Sequence, residues 1–102
     1  VELKIKYSRI AFRDLKDIYQ FISRDSVRYA KKEIDDIRYA IKKLRLHPYR
    51  GKVFEYSDDE FTRELVFKNY RIIYDIADNK TIIILTIHHH SRSLGRNSAI
   101  DI

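Results

Sequence analysis

Cysteine is absent from this chain, glycine occurs twice and proline once. Without cysteine there is no disulfide framework and no thiolate metal site, so a cytoplasmic location is the default expectation. With so little glycine and proline, and 44% of its residues hydrophobic, the chain has the composition of a folded domain rather than a disordered segment. No apolar run approaches the roughly 20 residues needed to span a bilayer, so no membrane partner is expected. The first residues alternate charge with hydrophobe, which is unlike a secretory signal. There is no glycine-rich phosphate loop, and no serine, histidine and aspartate in an arrangement that would suggest a hydrolase triad.

What is present is 102 residues, enough for one domain with a real core, and we read residues 1–102 as a single unit. The formal charge is +6, and it is unevenly spread. Residues 1–50 hold 14 Lys and Arg against 7 Asp and Glu, whereas residues 51–102 hold 7 against 8. Such an excess favours a polyanion or an acidic protein as partner. The solvated faces of two amphipathic helices account for most of those first-half lysines, so charge alone does not locate a site.

Leu3, Ile5 and Tyr7 alternate with charged residues, the period of a half-buried strand. Ser8 then caps a helix whose stripe is Ala11, Leu15, Ile18 and Ile22, widened by Phe12, Tyr19 and Phe21. Asp25-Ser26 interrupts and re-caps. Val27, Ala30, Ile34, Ile37, Ile41 and Leu44 repeat at three and four, so the two helices fold back as an antiparallel hairpin. His47-Pro48-Tyr49-Arg50-Gly51 stops the second helix, because Pro48 disfavours helical geometry before it and Gly51 permits a turn. Strands are expected over Val53 to Tyr56, Phe61 to Phe67, Tyr70 to Ala77 and Thr81 to His88. An acidic loop at 57–60, a two-residue turn at Lys68-Asn69 and a turn at 78–80 separate them, and a surface tail runs from Ser93. The fold class is α+β: an N-terminal strand, a helical hairpin, then a twisted antiparallel sheet of four further strands. The strand from Thr81 is apolar on both faces and should be central, leaving the sheet face away from the helices free to bind a ligand.

Two of these strands carry the chemistry. Arg71 interrupts Tyr70-Arg71-Ile72-Ile73-Tyr74, and a guanidinium in an apolar run is costly to bury unless an anion meets it. The last strand runs into His88-His89-His90-Ser91-Arg92, where imidazoles can move protons near neutral pH. A structural ion pair of Arg71 with Asp75 or Glu64 is the plainer reading of that arginine. A His-x-His pair on one strand also has the spacing of a zinc ligand set, but no third ligand is in register, and neither a metal nor another cofactor is expected.

The pieces Arg63-Glu64-Leu65, Tyr70-Arg71-Ile72-Ile73-Tyr74 and Ile87-His88-His89-His90-Ser91-Arg92, behind a helical hairpin ending His47-Pro48-Tyr49-Arg50-Gly51, resemble the RelE/ParE superfamily of toxins. The resemblance covers residues 3–94. It implies the toxic half of a type II toxin–antitoxin pair, neutralised by a small antitoxin, here expected to bring an acidic C-terminal segment. RelE-like members cut mRNA, usually in the ribosomal A site. ParE-like members inhibit DNA gyrase and are not nucleases. In the RelE branch the arginine of the YR motif and one at the end of the last strand contact the reacting phosphate, and these match Arg71 and Arg92. Other nuclease members use a histidine near the end of that strand, a place open to His88, His89 or His90.

The chain also departs from the RelE pattern. Thr62 and Glu64 stand where lysines are expected, and Ser98 where a tyrosine is expected. The long hairpin and the Arg-Glu-Leu segment lean towards ParE. Ribonuclease chemistry would need a base for the 2′-hydroxyl, cations for the phosphate oxygens and an acid for the leaving 5′-oxygen. For that chemistry we assign Arg71, His88, His89 and Arg92 as candidate catalytic groups, and Arg63, Lys68, Tyr70, His90 and Arg96 as RNA contacts. A gyrase inhibitor, or an inactive relative that only binds antitoxin, are the alternatives.

Overall fold

A computed structural model describes residues 2–89. The elements are β1 (Lys4–Tyr7), α1 (Arg9–Ser23), α2 (Val27–Lys42) with a 3-10 turn at Lys43–Arg45, β2 (Lys52–Val53), β3 (Thr62–Phe67), β4 (Tyr70–Ile76) and β5 (Thr81–His89). They form one sheet in the order β1-β5-β4-β3-β2 under a helical hairpin, the expected α+β architecture. The surface tail expected from Ser93 lies outside the described residues.

The caps are where the sequence puts them. The Ser8 and Ser26 hydroxyls accept from the N–H groups of Ala11 and Tyr29, satisfying donors that each helix start leaves open. From α1 the core takes Ala11, Leu15 and Ile18; from α2 and the turn after it, Ile37, Ile41 and Leu44. Phe12, Phe21 and Val27 do not join them and stand more than half exposed, and Tyr19 is at the margin. The apolar stripe is thus narrower than expected, because two helices on one small sheet leave their outer flanks uncovered. From the strands the core receives Leu3, Tyr70, Ile72, Tyr74, Ile76, Ile82, Ile84 and Ile87.

β2 to β5 pair antiparallel, whereas β1 joins β5 in parallel, with Lys4 opposite Thr81 and Tyr7 opposite Ile84. Alternation within β1 fixes its buried face but not its direction, which follows from the crossover through the hairpin. The β3–β4 turn at Lys68-Asn69 holds Lys68 at φ 54, an uncommon conformation for a residue with a side chain.

β5 carries one extra residue. Ile73 of β4 lies opposite Thr86 and Tyr74 opposite Ile84, so Leu85 has no partner and forms a bulge. Before it Ile82 and Ile84 face the core; after it Ile87 does. The bulge moves the inward positions from even to odd numbers, and His88 falls on the outer face as a result. α1 fastens this kink where β1 has ended. Ser8 N–H donates to Ile84 O at 2.9 Å, the Ser8 hydroxyl donates to Leu85 O at 2.8 Å, and Asp14 Oδ2 accepts from Ile87 N–H at 2.8 Å.

Gly51 proves necessary for a reason other than turn geometry, since no glycine among the described residues has positive φ. A Cβ on it would stand 2.6 Å from Glu64 O and 2.9 Å from Tyr74 Oη. The close approach lets Tyr74 lock the loop, its hydroxyl donating to Pro48 O at 2.6 Å and accepting from Gly51 N–H at 3.0 Å. Gly51→Ala is expected to cost about 1–3 kcal/mol, because the clash is with backbone and strand that cannot swing away. A denaturant midpoint equal to wild type would show that the loop yields freely.

Candidate functional site

β3, β4 and β5 run side by side, so residues opposite one another share a face. Arg71 lies directly opposite His88, and Val66 opposite Arg71 on the other side. Arg71 and His88 therefore stand together at one end of the sheet's outer face, both partly accessible. The middle of that face is closed: Glu64 is 4% exposed and Ile73 5%. The outer face is not the open platform expected from the sequence, and its reachable chemistry is at the Arg71–His88 end.

Arg71 is tied to a carboxylate, as its plainer reading required. Its Nε donates to Glu64 Oε2 at 2.5 Å, and this bond is the main reason its pKa is raised. The partner is Glu64 and not Asp75, which accepts from the Thr62 hydroxyl at 3.2 Å. The two terminal amino groups of Arg71 make no hydrogen bond among the described residues, and Glu55 and Tyr56 of the loop after β2 add to its field. Glu64 thus holds the guanidinium through Nε and offsets part of its charge.

His88 is bracketed by two charges. Burial, with Arg71 adding to it, pushes its pKa below the ordinary value, while Asp14 of α1 acts in the opposite direction. Its Nε2 lies 3.4 Å from the Thr86 hydroxyl, which donates to Asp14 Oδ2 at 2.6 Å. His89 takes the other face, its ring edge-on to Tyr70 with centroids 5.2 Å apart.

Three expected RNA contacts lie elsewhere. Tyr70 is buried at 2% exposure with its hydroxyl on Glu33 Oε2 at 3.1 Å, so it presents no face on which a base could stack. Lys68 reaches back to α2, 3.0 Å from Glu33 Oε1 and 2.9 Å from Asp36 Oδ2, and both acids raise its pKa. Arg63 lies opposite Tyr74, on the helix side, where it donates to Gly51 O and Glu60 O at 2.7 Å each and stacks over Tyr49. Alternation explains Arg63: one residue from Glu64, it must take the other face. His90, Arg92 and Arg96, with Ser98, lie outside the described residues. Among the described residues no three His, Cys, Asp or Glu gather to hold a metal ion.

Asp14 and Glu33 were missed from the sequence, although a signal exists. Asp14 sits three residues after Ala11 and one before Leu15, and Glu33 sits three after Ala30 and one before Ile34. Each is an acid on an otherwise apolar stripe, and each receives donors from strands.

The family model described as the ParE toxin of the type II toxin–antitoxin system, parDE, matches residues 5–94. The chain belongs to this family, within the RelE/ParE superfamily of toxins. Among solved structures, a chain of the chromosomal ParDE system from P. aeruginosa superposes with a TM-score of 0.71 at 24% identity, over 86% of this chain and 96% of that one. A chain of the RelBE2 toxin–antitoxin complex from Mycobacterium tuberculosis gives 0.63 at 24%, over 87% and 99%. The YoeB dimer from Staphylococcus aureus gives 0.57 at 19%, over 88% and 99%. These likenesses establish the fold. No curated protein matches the sequence. No helix among the described residues is long and apolar enough to cross a membrane.

The Arg71–Glu64 pair can be weighed by a double-mutant cycle. Arg71→Leu alone should destabilise the fold, because it removes the guanidinium bonded to a buried carboxylate, whereas Arg71→Leu with Glu64→Leu should cost less than the two single changes added together. Additive costs from the two single changes, read in chemical denaturation, would mean that the charges do not depend on one another.

Proposed function

We propose that this toxin arrests growth by cutting mRNA on the ribosome, and that an antitoxin with an acidic C-terminal segment holds it inactive. The observation that carries the chemistry is the direct cross-strand pairing of Arg71 with His88. One supplies two terminal amino groups for phosphate oxygens, the other a group that can transfer a proton near neutral pH. Of the histidines left open by the sequence, His88 is the one we assign, since His89 packs against Tyr70. Arg92 remains a proposed catalytic cation for the phosphate, and His90 and Arg96 remain proposed RNA contacts.

A second reading, inhibition of DNA gyrase without cleavage, is favoured by the ParE description of the family and by the Glu64 carboxylate beside Arg71. A phosphate arriving there would meet a half-neutralised clamp, with Lys68 and Arg63 engaged elsewhere.

The antitoxin reading draws support from the ParDE and RelBE2 neighbours, which are toxin–antitoxin pairs, and from the charge of two grooves. One, of about 710 Å³, lies between β1 and α2 and is lined by Lys4, Lys6, Arg38, Lys42 and Arg45 against Glu2 and Asp35. The other, of about 610 Å³, lies along the helices with Arg9, Arg13, Lys16 and Arg38 beside Phe12 and Tyr19, and no acid lines it. Arg38 borders both. An acidic, amphipathic segment fits such walls, and β1 offers a sheet edge beside the first groove. Its association rate should fall as salt rises, and fall further in Arg38→Glu. A rate indifferent to ionic strength would remove the electrostatic part.

One purified sample given two assays, mRNA cleavage in a translating extract and gyrase supercoiling, separates the target readings. Cleavage is expected, lowered about a hundredfold or more by His88→Ala and by Arg71→Lys, with antitoxin binding nearly unchanged. Lysine is chosen because it keeps a cation for Glu64 while losing the fork. Supercoiling inhibited with mRNA intact would leave the gyrase reading standing, and no effect in either assay would leave only antitoxin binding.

A further inference from the structure

We propose that Asp14 and Thr86 are positioning residues that fix the His88 proton on Nε2, leaving Nδ1 as the proton acceptor of the outer face. For what Nδ1 would deprotonate, this rests on the mRNA-cleavage reading; the arrangement itself follows from donors and acceptors alone.

The Thr86 hydroxyl has one proton. At 2.6 Å from Asp14 Oδ2 that proton goes to the carboxylate, because an ionised carboxylate only accepts. The same Oδ2 takes the Ile87 N–H at 2.8 Å, so two donors hold that oxygen in place beside Thr86. Towards His88 the Thr86 oxygen can therefore only accept, and the ring atom facing it at 3.4 Å must carry the hydrogen. That distance is long, as such bonds often are before a ligand tightens them. With Nε2 protonated and the imidazole neutral, the lone pair is on Nδ1.

The charged groups around His88 suit this role. Arg71 lies opposite on β4, Asp14 approaches from α1, and burial together with Arg71 holds the ring neutral. When Nδ1 gains a proton, the new charge is shared through Nε2–H and the Thr86 oxygen towards Asp14, the logic of a carboxylate behind a catalytic histidine with a hydroxyl between them. On the proposed reading, Nδ1 takes the proton of a ribose 2′-hydroxyl as O2′ bonds to phosphorus. The bond from phosphorus to the 5′-oxygen breaks, the leaving oxygen takes a proton from water, and His88 returns its own to solvent. The products are a 2′,3′-cyclic phosphate and a 5′-hydroxyl.

Nitrogen-15 NMR of the full chain, with His88 assigned by His88→Gln, tests the arrangement without any activity. The expected result is a neutral His88 with its hydrogen on Nε2. Thr86→Ser should preserve that tautomer and Thr86→Val should lose it. Asp14→Asn should move the His88 titration to lower pH, since the carboxylate favours the imidazolium. In the cleavage assay Thr86→Val should lower kcat by about tenfold or more with KM little changed, and Thr86→Ser should restore it. Retained antitoxin binding shows that each variant is folded. A hydrogen on Nδ1 in the wild type would overturn the proposal. So would Thr86→Val and Asp14→Asn variants whose tautomer and titration match the wild type. Should the tautomer respond as expected while wild type leaves mRNA intact, the positioning stands and the cleavage reading alone falls.

Discussion

One unpaired residue, Leu85, sets the phase of the last strand, and the candidate site depends on that phase. Strand positions alternate strictly, so without an insertion the inward series Ile82, Ile84 would continue to Thr86 and His88, burying a hydroxyl and an imidazole and expelling Ile87. The bulge reverses this, at the cost of a broken ladder that needs new partners. α1 provides them through Ser8 and Asp14. The residue that caps the helix and the one a turn and a half further on thus also determine which strand residues meet at the outer face.

Three acids do comparable work in a basic protein. Asp14 receives Thr86 and Ile87, Glu33 receives Tyr70 and Lys68, and Glu64 receives Arg71. Each sits where an unpaired charge would be expensive and a paired one fixes geometry. Several of the other cations line the two grooves. The excess behind the formal charge of +6 lies in residues 1–50, which form β1 and the hairpin.

Much of this was legible in advance. Serine caps, three-and-four spacing and alternation gave the helices and most strands to within a residue or two, since these depend on neighbours along the chain. The strand expected over Val53 to Tyr56 is the exception, forming only at Lys52–Val53. The parallel pairing of β1 was not legible, because direction is decided by a strand more than seventy residues away. The bulge was not either: a strand apolar on both faces has no alternation to be broken. Among site residues, alternation alone would have separated Arg63 from Arg71, since Glu64 was already the possible ion-pair partner. Tyr70 looked available because its ring lies next to Arg71 in sequence, yet in β4 the neighbour of an outward residue points inward.

Lys68 shows how tightly one position can be bound by two requirements. Its backbone, at φ 54, would be more comfortable as glycine, yet its ammonium joins the β3–β4 hairpin to Glu33 and Asp36 of α2. Replacement by glycine would relax the turn and cut the tether, while replacement by another cation would keep a tether of different reach at the same backbone cost. In a lineage of such chains, drift at this turn should therefore be coupled. Glycine would become acceptable at 68 only where acids at 33 and 36 have also changed, so the three positions should vary together.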